Sequence, residues 1–383
     1  MSRIDDLIGD LCPHGVPLKA LGQVGVFIRG NGLQKSDLRE EGVPAIHYGQ
    51  IHTHYGVWST EAKSFTEEAI ASKLRHAHPG DLLIATTSED DAAVAKATAW
   101  LGATDVVLSG DAYIYRHELD PKYVSYFFQS TSFQDQKRRF ISGTKVRRVA
   151  GDSLAKIQIP VPPIEIQREI VRVLDKFTQL EEELEAELEA RRAQYEHYVH
   201  ALFAGIDDSP TVPIGRLLMP VSIPRGVKRS AYGAGKNIPI IDQGQSSIAG
   251  YTDDESLRVR GDQHIVFGDH TRVVKWVDHD FAPGADGTKV FRARQGVLPR
   301  YAYFAFKQLN IPSRGYNRHW TVARDMEVPL PALERQHEIV RILDNFDALV
   351  NDISVGLPAE LAARRKQYEY YRDRLLTFKE LAA

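Results

Sequence analysis

The chain has 383 residues, 43% of them hydrophobic and 26% charged, with a net charge of −3 and one cysteine. That balance is ordinary for a soluble globular protein and long enough for two or three domains, each with its own core. The lone Cys12 excludes an intrachain disulfide, no apolar run reaches the roughly 20 residues that span a bilayer, and MSRIDDLIGDLC lacks a basic-then-apolar leader, so a cytoplasmic protein is expected.

Residues 1–158 set short apolar runs between glycines and prolines: VGVFIRG, VPAIHYGQI, GDLLIATT and DAYIYRH. Such runs predict short strands, and a helical stretch follows over 122–133. Pro160-Val161-Pro162-Pro163 cannot itself be helix, but it opens a long amphipathic pattern. Apolar residues recur there at Ile170, Leu174, Phe177, Leu180, Leu184, Leu188, Tyr195, Val199 and Leu202. Steps of three and four predict one long helix with a narrow seam within 159–205.

Residues 206–328 return to strands, with IPIIDQGQ, QHIVFGD and GTKVFRA, and to a helical stretch over 300–309. Residues 329–383 then carry a second stripe: Ile339, Leu343, Phe346, Leu349, Ile353, Leu357, Leu361, Tyr368 and Leu375. At about 1.5 Å per residue each helix would reach about 50–60 Å. Neither can leave its stripe in water, so the two are expected to pack on each other.

The two helical segments are copies. IPVPPIEIQREIVRVLDKF (159–177) matches VPLPALERQHEIVRILDNF (328–346), with Gln167 opposite Gln336, Asp175 opposite Asp344 and Phe177 opposite Phe346. Downstream, Arg191-Arg192-Ala193-Gln194-Tyr195 matches Arg364-Arg365-Lys366-Gln367-Tyr368, but the offset has grown from 169 to 173. Four extra residues are a stutter, which shifts a seam but keeps it facing its partner. Gly356-Leu357-Pro358 lies in the same interval and predicts a kink or short break. Two copies exclude a solenoid and leave a pseudo-twofold molecule. The strand-rich segments echo one another more weakly, as in Val43-Pro44-Ala45-Ile46-His47-Tyr48-Gly49-Gln50 against Ile238-Pro239-Ile240-Ile241-Asp242-Gln243-Gly244-Gln245.

Two diverged modules alternating with two near-identical helices resemble the specificity subunit of type I restriction–modification systems. The proline-led entry and E-x-Q-x-x-I-V-x-x-L-D-x-F in both copies are the most specific part of that likeness, and RGNGLQKSDLREEGVPAIHYGQI resembles a recurrent type of first recognition domain. The resemblance implies an α+β chain: a first target-recognition domain (1–158), a central helix (159–205), a second target-recognition domain (206–328) and a C-terminal helix (329–383). In that family the helices form an antiparallel coiled coil, and each module reads half of a split, asymmetric DNA site. The family members perform no chemistry. Two methyltransferase (M) subunits dock on the helices, using S-adenosylmethionine for what the resemblance implies is N6-adenine methylation, and translocating nuclease (R) subunits can join. Repetition of Gln167, Asp175, Arg191, Arg192 and Tyr195 as Gln336, Asp344, Arg364, Arg365 and Tyr368 suits two equivalent docking sites for one partner; the alternative is duplicated sequence that has not yet drifted.

Net charge hides local differences. Residues 159–205 hold 5 Lys+Arg against 10 Asp+Glu, whereas 206–328 hold 17 against 13. For duplex binding the location of cations matters more than the total. Lys137, Arg138, Arg139, Lys145, Arg147 and Arg148 form the strongest cluster and suit phosphates; Arg225, Lys228, Arg229, Arg314 and Arg318 are basic positions of the second module. Fork-like side chains expected in polar loops are candidates for base edges: Arg29, Asn31, Lys35, His47, Tyr48, Gln50 and His52 in the first module, Gln243, Gln245, Thr271 and Arg272 in the second. Idle surface and internal hydrogen bonds are the competing assignments at each position.

Catalytic signals are weak. Asp120-Pro121-Lys122-Tyr123 lacks the second proline of an adenine-methyltransferase site, with no glycine-rich cofactor turn beside it. Gly233-Ala234-Gly235-Lys236 lacks the first glycine and the hydroxyl of a phosphate loop. No metal is expected at His52/His54 or His270/Asp278/His279/Asp280, and no cofactor in this chain. Rival readings are a stand-alone DNA-modifying enzyme and a coiled-coil adaptor without DNA affinity.

Overall fold

The computed structural model describes residues 3–206, 209–261, 263–313, 315–351 and 356–381. The first module is built on β1 (Gly25–Arg29), β2 (Val43–Ile46), β3 (Leu82–Ala85), β4 (Lys96–Trp100), β5 (Val106–Leu108) and β6 (Ala112–His117), with helices α1 (Tyr48–Thr53), α2 (Pro121–Gln129) and α3 (Thr131–Arg138). Its main sheet has the order β1-β6-β3-β4, extended by Trp58–Ser59. A second sheet places β2 parallel to β5, with Val107 opposite Ala45. All four residues of β3 are buried, as a continuous apolar run in a central strand should be.

Helix α4 (Ile164–Ala204) follows as a single element of 41 residues, about 60 Å at the usual rise. The second module holds β7 (Leu218–Pro220), β8 (Ile238–Ile241), β9 (His264–Gly268), β10 (Val274–Val277), β11 (Ala282–Pro283), β12 (Thr288–Ala293) and α5 (Pro299–Lys307). Its main sheet runs β7-β12-β9-β10, and β8 lies parallel to β11. Among these six strands the order and the parallel pair repeat those of the first module, so the weak sequence echo reflects a shared frame. Helices α6 (Leu333–Asn351) and α7 (Leu357–Leu375) complete the chain.

Several local expectations need correction. The helix expected over 122–133 is two helices, because Ser130 leaves helical geometry and its Oγ accepts from the Phe133 N–H at the start of α3. The break expected at Gly356-Leu357-Pro358 is found, since helix α6 is described to Asn351 and α7 starts at Leu357, which puts Pro358 in a first turn, where its missing N–H costs nothing. Residues 352–355, including Ile353 and most of the stutter, lie outside the described residues. Leu180 and Leu349, both expected in the seam, are 46% and 38% exposed.

The chain divides into two compact units, Met1–Glu183 with Leu361–Ala383, and Leu184–Glu360. In the first, Phe177 stacks on Tyr371 and Arg365 reaches Glu181 at 2.6 Å. Partners that ascend one helix as they descend the other define an antiparallel pair of α4 and α7. In the second, Tyr198 packs on Phe346, and the Tyr195 hydroxyl donates to Asp347 at 3.2 Å. No helix among the described residues is long and apolar enough to cross a membrane.

Candidate nucleic-acid interface

At the end of β2 the chain turns directly into α1. His47 caps it: its Nδ1 accepts from the Gly49 N–H at 3.3 Å, while Gln50 Oε1 accepts from the His47 N–H at 2.9 Å. His47, Tyr48, Gln50 and His52 therefore stand on a short helix, not in the polar loop expected for them. Burial lowers the pKa of both His47 and His52, and the Lys35 charge contributes at His47. His52 Nε2 lies 2.9 Å from the Thr87 carbonyl, and Gln50 Nε2 donates to Ser64 Oγ at 2.9 Å.

Neighbouring loops close on this helix. The Tyr48 N–H donates to Ser109 Oγ, and Arg29 Nε donates to the Gly110 carbonyl at 2.9 Å. Gly30 permits the approach, since a Cβ there would fall 2.2 Å from the Ser109 oxygen. Asn31 is engaged at both ends of its amide, by the Lys73 carbonyl and the Arg75 N–H. In this structure both ends of that amide serve to pin the loop.

The basic cluster separates by environment. Lys137 is fully buried, with Nζ donating to the Ala92 and Val94 carbonyls at 3.0 and 2.8 Å, so it does not reach a phosphate. Arg138 pairs with Asp135, Arg139 lies over Phe140, and Arg147 Nε meets Asp91 at 2.7 Å. Lys35, Lys145 and Arg148 are exposed. Arg148 faces Thr87 across a two-residue strand pair, which brings the hairpin 142–148 beside His52.

Lys137 also carries a pH signature. Burial lowers its pKa to about 8 from an ordinary 10.5. Between those values the unfolded chain holds the proton and the folded chain releases it, so stability rises with pH through that window. Below about pH 8 the cost of burying the charge is fully present. Lys137→Met should flatten this rise, read as urea midpoints of both proteins at pH 7.5 and 9.5. Equal pH slopes would refute it.

The second module presents the equivalent end differently. After β8, Asp242 Oδ1 accepts from the Gly244 N–H at 2.8 Å, and Lys275 Nζ donates to the Asp242 and Ser246 carbonyls. Gln243 Oε1 accepts from the His270 N–H at 3.2 Å, and its carbonyl accepts from Thr271 Oγ1 at 2.5 Å. Gln243, Thr271 and Arg272 are thus brought together, with Gln245 exposed beside them. Arg272, at φ +67°, bonds the Ile311 carbonyl. Arg225, Lys228 and Arg229 are exposed on a stretch tied to β11 by the Val227 N–H, and Tyr232 links that stretch to Asp242. Arg318 is exposed; Arg314 lies outside the described residues. Sequence reasoning missed Tyr316 and weighed His270 only as a metal ligand; the two rings stack at 4.4 Å and 4°. The available signal was Arg-Gly-Tyr-Asn-Arg over 314–318, an aromatic interleaved with cations.

The repeated helix residues are explained within each unit. Gln167 Oε1 accepts from the Asp120 N–H at the start of α2, and Gln336 Oε1 accepts from the Leu298 N–H at the start of α5, both at 2.9 Å. Their amide nitrogens donate to the Pro162 and Pro331 carbonyls. Asp175 binds Lys122 and Tyr126; Asp344 binds Arg300. The Tyr368 hydroxyl donates to Gln129 Oε1, and Lys307 lies over the Tyr195 ring. Gln167, Gln336, Asp175, Asp344, Tyr195 and Tyr368, expected to dock a partner, clamp each module to its helices in this structure. Arg191 and Arg364 bond Gln194 and Gln367, and Arg192 is exposed.

The catalytic decoys have structural duties. Asp120 caps α2 through the Tyr123 N–H, and the Tyr123 hydroxyl bonds the Pro160 carbonyl. Asp253 Oδ1 accepts the Lys236 and Asn237 N–H groups, so they do not form a phosphate cradle. Among the described residues no cluster of three or more His, Cys, Asp or Glu could hold a metal ion.

Two modules of one topology, each clamped alike to its helices and ending in polar residues of different composition, define a scaffold with two recognition modules. Residues 14–190 and 236–363 match the type I restriction modification DNA specificity domain, and the chain belongs to that family. It is similar to the specificity subunit of the Escherichia coli EcoR124I/EcoR124II type I restriction enzyme, 29% identical over 309 residues, covering 67% of this chain and 70% of that one. A 52-residue stretch is 58% identical to the specificity subunit of E. coli EcoprrI, 14% of this chain and 13% of that one. The fold is similar to that of a type I S subunit from M. genitalium, with TM-score 0.56 at 14% identity over 94% of this chain and 96% of that one. A chain solved in work on assembly of the type I R-M system gives 0.57 at 16% identity, covering 96% and 98%. The protein is accordingly a DNA-recognition subunit with a non-catalytic role.

Proposed function

We propose that each module reads one half of a bipartite, asymmetric duplex site, while the paired helices set the unread gap and dock two methyltransferase subunits. The carrying observation is the contrast at equivalent ends of the two frames: His47, Gln50 and His52 in one module, Gln243, His270 and Thr271 in the other. One frame with two different polar surfaces suits two different half-sites. Chemistry then belongs to the partners, which supply S-adenosylmethionine and, where present, a translocating nuclease. The test is a map of methylated adenines after co-expression with the cognate methyltransferase subunit in a modification-free host. A two-part motif with a gap is expected; a continuous or palindromic motif would refute the two-reader arrangement.

With the clamp residues accounted for inside the chain, methyltransferase docking falls to repeated positions that face outward. Leu180 and Leu349 occupy the same repeat position and are both exposed, each about two helical turns beyond an exposed arginine, Arg172 or Arg341. An exposed leucine at both copies has no use in the seam. The double variant Leu180→Asp, Leu349→Asp should weaken methyltransferase co-purification at least tenfold while the chain's melting temperature stays within a few degrees. Undiminished co-purification would move docking elsewhere.

A further inference from the structure

We infer that Tyr316, backed by His270, stacks on a base at an opened step of the half-site read by the second module. The inference rests on the two-reader function and adds a specificity-determining residue to it. Tyr316 is 79% exposed, the most exposed large hydrophobic side chain among the described residues. Its position is nevertheless fixed. One face lies parallel to the His270 imidazole at 4.4 Å, and His270 Nδ1 sits 3.1 Å from the Tyr316 carbonyl.

The imidazole is itself held. Its backbone N–H donates to Gln243 Oε1, and Gly287 lies against its ring, where a Cβ would come within 2.5 Å of Cδ2. The turn that presents it is secured further by Asp269, whose Oδ1 accepts the Trp320 N–H and whose carbonyl accepts the His319 N–H. An aromatic ring with one face on a rigid backing and the other in solvent is a preformed stacking platform. Exposing that face costs free energy in water, and a loop latch alone would be served by a buried ring. Gln243 and Thr271 lie at the base of the platform and Arg318 two residues along, so the open face is set among groups suited to base edges and phosphates. Aromatic wedges that unstack a step are an established way to deform duplex DNA.

The first module does not repeat the device. Val149 and His319 make the same backbone bond, to Thr86 and Asp269 respectively, and three residues upstream of each stand Val146 and Tyr316. Val146 is 44% exposed but has no π-face. Base stacking from this position is therefore assigned to the second half-site.

The test uses the chain assembled with its methyltransferase subunits on duplexes carrying 2-aminopurine at successive positions of the second half-site, leaving out the methylated adenine. The wild-type complex should brighten one position. Tyr316→Ala should abolish that signal and weaken specific binding by about 10- to 100-fold, the range expected from losing one base–aromatic stack. Tyr316→Phe should restore both, and His270→Ala should lose part of each. No bright position, or a signal and affinity that survive Tyr316→Ala, would overturn the assignment while leaving bipartite methylation intact. A wild-type complex that retains no specific duplex would overturn the recognition function and this inference together.

Discussion

Arg300→Ala should destabilise the second unit by about 2–3 kcal/mol and erase one half of the methylation motif while sparing the other. Arg300 meets Asp344 at 2.6 Å and Asp347 at 3.1 Å, and its guanidinium lies about 5 Å from the Trp276, Tyr303 and Phe304 ring centres. Breaking a buried ion pair from one side typically costs about 3–5 kcal/mol, because the stranded charge stays behind. Here Asp344 is 40% exposed and Arg300 20%, so solvent screens part of that cost and the lower figure follows. At the equivalent place the first unit has Lys122 with Asp175, over Trp58 at 4.0 Å, and Lys122→Ala should cost less. Adding Asp344→Asn and Asp347→Asn to an Arg300→Met variant removes the stranded charges and should recover most of the loss. Urea unfolding followed by tryptophan fluorescence reads the stability, and the methylation map reads the half-specificity. An Arg300→Ala change below about 0.5 kcal/mol, the value of an ordinary surface substitution, would dismiss the clamp.

That clamp marks the boundary of what the sequence made legible. The helices were readable because their apolar steps follow a helical period, and the duplication because Gln167/Gln336 and Asp175/Asp344 align without gaps. The family resemblance named the architecture from the same residues. Their purpose was not readable, since a glutamine side chain reaching the first turn of α2 or α5 is a long-range contact that leaves no local pattern. Lys137 failed for the same reason: in sequence it belongs to a basic run, but helical phase turns it toward the carbonyls of Ala92 and Val94, 45 and 43 residues away. His47 and Gln50 were selected for their functional groups, yet His47-x-x-Gln50 is also a helix-capping pattern, and the structure uses it so. Leu180 and Leu349 show the converse: periodicity predicts a buried stripe, yet both side chains are exposed.

Charge removal at Lys35, Lys145 and Arg148 should lower DNA affinity without altering the motif. All three are exposed, and among the described residues none is in an ion pair, whereas Arg138 and Arg147 already have carboxylates at 3.2 and 2.7 Å. A cation with no internal partner releases condensed counterions when it meets a phosphate, at about 0.9 in the log–log salt slope per contact. The triple glutamine variant should therefore flatten the slope by about 2.7 and weaken binding on the order of a hundredfold at 0.1 M salt. Phosphate contacts position the protein without reporting sequence, so the methylated motif should keep both halves. Arg138→Gln and Arg147→Gln should change the slope less, because DNA would first have to displace Asp135 or Asp91, and Lys137→Met should leave it unchanged. Binding isotherms of the assembled complex between 50 and 300 mM salt decide the matter. An unaltered slope in the triple variant would place the phosphates on another face of the first module, and with them the assignment of Arg148 and the 142–148 hairpin to the duplex.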